Sequence, residues 1–150
     1  AVTSLDISAQ ALEIAKENGK LNTYSGIHNI IVGDAFEELQ KLIDSKQFFD
    51  VVVIDPPSFA KQQADIKIAK KKYAQLAKLG CKLAAQNGLL VLASCSSRVI
   101  AEDFFSINTF TLKQSNRPFK TILKTTHDID HPIAFKEGAY LKCGYYKFID

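Results

Sequence analysis

A chain of 150 residues with 47% hydrophobic content is long enough for one domain with its own core and too short for two of ordinary size. No stretch approaches the roughly 18 consecutive apolar residues of a membrane span, and the start lacks a basic-then-apolar signal segment. The net charge of +3 hides an asymmetry: residues 1–60 hold four lysines against nine acids, residues 61–150 fifteen Lys and Arg against seven. A field of that kind favours a polyanionic partner without distinguishing RNA, DNA and plain solvent.

In chain order, short apolar runs alternate with helix-period stretches. The pattern predicts a strand over 2–6, a helix over 9–18, a strand over 29–33, a helix over 35–44 and a strand over 50–54. A long helix follows at about 62–86, then a strand over 89–94 and a helix around 102–113. Uniformly apolar strands in a βα rhythm suit a parallel sheet covered on both faces. Ser8 is placed to cap the first helix, which should end near Asn18-Gly19, and Gly88 stands where a helix-to-strand turn needs positive φ. Beyond residue 113 the rhythm changes. Residues 119–125 and 139–149 read as two strands joined by the polar "THDIDHPIAFKEG", an antiparallel pair closing the sheet. No repeat, low-complexity tract or domain boundary interrupts the chain, which reads as one domain over 1–150. Three widely spaced cysteines, Cys81, Cys95 and Cys143, form neither a disulfide framework nor a zinc pattern and fit a reducing, cytosolic compartment. The chain has no methionine and opens on a strand, so a preceding segment is expected.

Ligands of open α/β sheets bind beyond the carboxyl ends of the strands. Asp6, Asp34 and Asp55 each end a strand, and Ser94-Cys95-Ser96 ends another. Two acids on successive strands can accept from the ribose hydroxyls and the adenine amine of a nucleoside cofactor. Each is equally a favoured helix cap, and that reading stays open. Asp55 runs into Pro56-Pro57, which cannot continue a ladder and which restrict the residues before them, so the backbone becomes a rigid shelf. Phe59 is placed to stack on a flipped base and Asp55 to bond its polar edge. A plain strand stop accounts for the same residues.

These residues resemble the class I S-adenosylmethionine-dependent methyltransferases. "DPPSF" is similar to their fourth motif, "LDIS" with Asp6 to the ribose-binding acid after the second strand, and "GDAFEEL" with Asp34 to the adenine-binding segment after the third. More narrowly, "VVIDPPSFAK", "LASCSS" and "HPIAFKEGAYLKC" together resemble the bacterial 23S rRNA cytosine-C5 methyltransferase group over nearly the whole chain. The resemblance implies a Rossmann-like α/β fold, here a fragment beginning at the second strand. The family's first strand, its glycine-rich turn and its RNA-binding PUA-type domain have no counterpart in these residues. It implies S-adenosylmethionine as cofactor, with Asp6, Ile7, Asp34, Ala35 and Asp55 binding it. It implies ribosomal RNA as partner, with Pro56, Pro57, Phe59 and Lys61 facing the substrate.

The resemblance also implies roles for Cys95 and Asp55. Cytosine carbon 5 is a poor nucleophile, and a thiolate that adds to carbon 6 makes it electron-rich. Cys95 would be that thiolate, with Asp55 holding the N3/N4 edge across the pocket. A helix starting after Ser96 or Ser97, or Arg98, would supply the positive potential a thiolate needs. On spacing alone Cys95 reads as a small inert thiol, and Cys81 and Cys143 read as structural. Lys61, Lys67, Lys70, Lys71, Lys72, Lys78 and Lys82 could grip phosphates or simply face solvent on a helix burying Ile66, Ala69, Tyr73, Leu76 and Leu83. His127, His131, Asp128 and Asp130 read as a turn without a metal. Two other functions fit: a guanine-N2 or adenine-N6 methyltransferase using the Asp-Pro-Pro shelf without a thiol, or a catalytically silent RNA-binding domain.

Overall fold

The computed structural model describes the backbone of all 150 residues and the side chains of all but Lys136. The chain divides into two compact units, Ala1–Lys46 and Gln47–Asp150.

The first unit runs β1 (Val2–Asp6), α1 (Ala9–Lys20), β2 (His28–Val32) and α2 (Ala35–Asp44). The two strands pair in parallel, Asp6 level with Val32. Ser8 caps α1 as expected, its Oγ accepting from the Ala11 amide at 3.2 Å. The helix runs through Gly19 to Lys20, past its predicted end. A glycine in a helix costs only about 1 kcal/mol, and Lys20 in the last turn suits the negative end of the helix dipole.

The second unit contains β3 (Phe49–Ile54), a 3-10 turn (Gln63–Asp65), α3 (Ile66–Leu83), β4 (Ala84–Ser94), α4 (Ala101–Lys113), β5 (Phe119–Thr125) and β6 (Lys142–Phe148). Its sheet has the order β3-β4-β6-β5. β3 and β4 are parallel, while β6 runs antiparallel to both β4 and β5. The predicted antiparallel finish is therefore present, with the last strand inserted between its two neighbours.

The junction of α3 and β4 departs from expectation. The helix stops at Leu83 rather than 86, and β4 begins at the next residue. The pairing with β3 jumps from Phe49↔Ala84 to Val51↔Leu89, so residues 85–88 bulge out opposite Asp50. The left-handed residue of the bulge is Asn87, at φ 54°, and Gly88 is not at positive φ. Asn tolerates that conformation because its short polar side chain bonds locally. Gly88 answers a different need: a Cβ there would lie 2.8 Å from Ala85 O and 3.3 Å from Asp50 O.

The core of this unit is built where α3 lies on the sheet. Leu76, Leu83, Leu90, Leu92 and Tyr73 are nearly inaccessible. Gly80 permits the close approach, since a Cβ there would meet Leu90 Cδ1 at 2.7 Å and Ile54 Cδ1 at 2.8 Å. α4 adds Phe104 and Leu112, the Phe104 ring meeting Tyr73 edge-on at 5.3 Å. β4 is buried on both faces from Val91 to Ser94. β3 is not: Val52 and Ile54 are buried, but Val51 and Val53 are 55% and 64% exposed.

Candidate active site

In the first unit the strand ends bring two acids to adjacent positions. The Gly33 amide donates to the Asp6 carbonyl at 3.0 Å, which holds the turns after β1 and β2 side by side. Asp6 Oδ1 accepts from the Ser8 amide at 2.7 Å, tightening the turn into α1. Asp34 caps α2, its Oδ1 accepting from the Phe36 and Glu37 amides at 2.8 and 3.4 Å. Both acids are exposed, as is Ile7, and Ala35 opens α2 half-buried. The cap and the ligand readings of Asp34 are compatible, because a carboxylate bonded through one oxygen keeps the other for a donor. Two exposed carboxylates on neighbouring strand ends are the acceptors that a ribose diol and an adenine amine require.

In the second unit the ends of β3 and β4 converge. Cys95 Sγ lies 4.0 Å from the Pro56 carbonyl oxygen, so the thiol rests against the Asp-Pro-Pro shelf. Asp55 and Pro57 are exposed, and Pro56 and Cys95 half-buried. The next residues are held from below by Tyr73, the buried hydroxyl that reaches both strand ends. It accepts from Ser94 Oγ at 2.8 Å and from the Phe59 backbone. Ser94 Oγ in turn accepts from the Ser96 amide at 3.3 Å. Burial pushes the Tyr73 hydroxyl above its ordinary pKa.

Phe59 is half-buried against Tyr73, ring centroids 5.1 Å apart, with Lys72 Nζ 5.0 Å from its centroid. Its ring is thus engaged within the fold. Lys61 is exposed, and its amide and that of Gln62 donate to Asp65 Oδ2 at 3.1 Å, closing the shelf onto the start of α3. Most of the other lysines of α3 face solvent, while Lys70 pairs with Asp103 at 2.8 Å.

The expected source of positive potential is displaced. α4 begins at Ala101, with Ile100 as its cap, five residues beyond Ser96, and Arg98 is exposed. A buried cation held against the Ser94–Ser96 turn is Lys142, the first residue of β6, level with Ser94 in the β4 pairing. It is fully buried, and its Nζ donates to the Ser96 carbonyl and, at 3.0 Å, to Tyr140 O. Sequence reasoning passed over it, although strand alternation carries the signal. Lys142 shares the buried face of β6 with Gly144, Tyr146 and Phe148.

The histidine-rich loop holds its side chains by stacking. His127 lies on His131 at 4.6 Å between centroids and accepts from the Leu141 amide through Nε2 at 3.0 Å. Among the described residues no group of three or more His, Cys, Asp and Glu is placed to hold a metal ion.

A Rossmann-like α/β arrangement, parallel strands first and an antiparallel pair last, with acids at the end of β1 and just beyond the ends of β2 and β3, is the fold of the class I methyltransferases. SMU.776, solved in complex with SAH, superposes with a TM-score of 0.78 at 21% identity, over 98% of this chain and 39% of that one. A SAM-dependent methyltransferase from Agrobacterium tumefaciens gives 0.67 at 17% identity, over 98% and 48%. Both are likenesses of fold. The chain belongs to the family described as Conserved hypothetical protein 95, whose model matches residues 1–123. It is 40% identical to a ribosomal RNA large subunit methyltransferase of Deinococcus radiodurans over 142 residues, 94% of this chain and 35% of that protein. It is 31% identical to the ribosomal RNA large subunit methyltransferase I of Cronobacter sakazakii, over 94% of this chain and 36% of that protein. The chain thus spans about a third of the length of these curated relatives.

Proposed function

We propose that this chain is the part of an S-adenosylmethionine-dependent methyltransferase that acts on cytosine C5 of large-subunit ribosomal RNA. The observation that carries the reading is the thiol of Cys95 set 4.0 Å from the Pro56 carbonyl, beside Asp55. A guanine-N2 or adenine-N6 enzyme needs the shelf but has no use for the thiol. The names of the relatives support ribosomal RNA as substrate, and the basic second half of the chain suits a polyanion.

The cofactor, when bound, offers a methyl group on a sulfonium. Asp6, with Ile7 beside it, receives the ribose hydroxyls, and Asp34 with Ala35 receives the adenine edge. Asp55 accepts from the cytosine N4 amine and fixes the ring against the shelf made by Pro56 and Pro57. Phe59 stiffens that shelf from beneath, and Lys61 meets the RNA backbone. The Cys95 thiolate adds to carbon 6, and the electron pair displaced to carbon 5 would take the methyl group as its bond to the sulfonium sulfur breaks and the neutral thioether leaves. A base then removes the C5 proton, the C6–S bond breaks and the thiolate is regenerated.

The test incubates the full-length protein with labelled S-adenosylmethionine and ribosomal RNA, then identifies the methylated nucleoside after digestion. The expected product is 5-methylcytidine, lost in Cys95→Ser. A methylated purine that survives Cys95→Ser would retain the fold and overturn the thiol mechanism.

A further inference from the structure

Lys142 is fully buried, and among the described residues no carboxylate lies within ion-pair distance of its ammonium. Two backbone carbonyls receive its protons, Ser96 O and Tyr140 O. Carbonyl dipoles solvate a cation in part, yet a buried ammonium without an opposite charge is costly to hold. An uncharged residue of similar shape would fill the same space on β6 at lower cost.

Its location gives the cost a purpose. Lys142 pairs with Ser94 across the β4–β6 ladder, and the Ser96 carbonyl that it grips is the next one after Cys95. One side chain therefore pins the turn carrying the thiol from the opposite strand. Burial pushes Lys142 down to about 8, so at neutral pH the group gripping this turn is still mainly an ammonium. The turn is also held by the Ser94 hydroxyl, through its bonds with the Ser96 amide and Tyr73, and by the Cys95 contact with the Pro56 carbonyl. The Ser96 hydroxyl is itself buried with no partner among the described residues, so it contributes no anchor.

We propose that Lys142 is the positioning residue of Cys95, holding the 94–96 turn through the Ser96 carbonyl and setting its ammonium as the counter-charge of the thiolate. The inference rests on Cys95 being the nucleophile and adds what activates it. In catalysis the ammonium stabilises the thiolate before addition to carbon 6 and again when the C6–S bond breaks. Lys142 itself forms no bond to substrate.

The test reads the thiol without RNA or cofactor, so it stands apart from the methylation assay. Cys95 is alkylated at pH 7.5 with neutral iodoacetamide and anionic iodoacetate, and each rate is followed at that residue by peptide mass spectrometry. In Lys142→Met the iodoacetamide rate should fall about ten-fold and the iodoacetate rate further, because both thiolate and incoming anion lose the same cation. Lys142→Arg, which keeps the charge, should restore the preference for iodoacetate. Rates unchanged within about two-fold in Lys142→Met, or lowered equally for both reagents, would overturn the proposal; the second is what a merely structural lysine gives. Should neither variant fold, the wild-type protein decides: its iodoacetate-to-iodoacetamide ratio at Cys95 must exceed that of the same protein in urea. An equal or lower ratio would sink the idea.

Discussion

Ser94 Oγ donates to the Tyr73 hydroxyl across a buried 2.8 Å gap, and this bond joins the last residue of β4 to the middle of α3. The same hydroxyl accepts from the Phe59 backbone, so the shelf after β3 and the thiol turn after β4 hang from one oxygen. Two loops that must keep a thiol and a carboxylate in register thus have a common anchor in the core.

Tyr73→Phe removes that oxygen and keeps the ring against Phe59 and Phe104. Ser94 retains its bond from the Ser96 amide, so the loss should be moderate, about 1–2 kcal/mol. Urea unfolding should show a lower midpoint at unchanged slope. A slope change would mean that the variant alters the compactness of one of the states rather than a single bond.

Asp34→Asn separates the two roles of that residue. Asn caps a helix about as well as Asp, so thermal stability should move by only a few tenths of a kcal/mol. A carboxylate that also receives an adenine amine loses a charge-assisted bond, and affinity for S-adenosylmethionine should drop about ten-fold in equilibrium binding to the full-length protein. Unchanged affinity would leave Asp34 a helix cap and nothing more.

Lys142 makes stability rise with pH. Its folded pKa of about 8 lies below its ordinary 10.5, so between those values the unfolded chain carries a proton that the folded one lacks. The penalty is full below pH 8 and is relieved as pH climbs, by at most about 3 kcal/mol across the window. Cys143, Tyr73 and Tyr146 are pushed upward by burial and act in the opposite sense. The difference between wild type and Lys142→Met isolates the lysine. It should shrink steadily from pH 8 to 9.5 in denaturant titrations, and a constant difference would refute the assignment.

Arg117 commits every donor of its guanidinium. Nε and Nη2 reach Asp150 at 2.6 and 3.0 Å, Nη1 reaches Cys81 O and Ala84 O at 2.6 and 2.8 Å, and Nη2 also reaches Ala85 O at 3.0 Å. The group lies 4.0 Å over the Phe148 ring. These carbonyls are the ones orphaned where α3 passes into β4 without a loop. Arg117→Lys keeps the charge but not the planar fork, and should cost about 2–3 kcal/mol by calorimetry or urea unfolding.

The sequence made the strand ends readable because acids, prolines and small polar residues interrupt apolar runs there. Asp6, Asp34, Asp55 and the Ser94–Ser96 turn all fall where alternation of strand and helix puts them. The α3–β4 junction escaped because Ala84 to Gln86 satisfy helix propensity, while the carbonyls there are satisfied from far along the chain by Arg117. Lys142 escaped for a related reason. A lysine in a strand is ordinarily read as facing solvent, and only pairing with β4 places it beside the thiol. Exposure of Val51 and Val53 was equally hidden, since an apolar run does not say which of its faces is covered.

The outer edge of β3 has no strand beside it within its own sheet, and on the face opposite the buried Val52 and Ile54 the same strand carries the bare Val51 and Val53. Unpaired backbone groups flanked by β-branched apolar residues are a template for strand addition. A strand added there, from another segment or another copy, would satisfy those groups and close the edge. That edge belongs to the strand whose last residue, Ile54, directly precedes Asp55, so a strand added there would end beside the shelf.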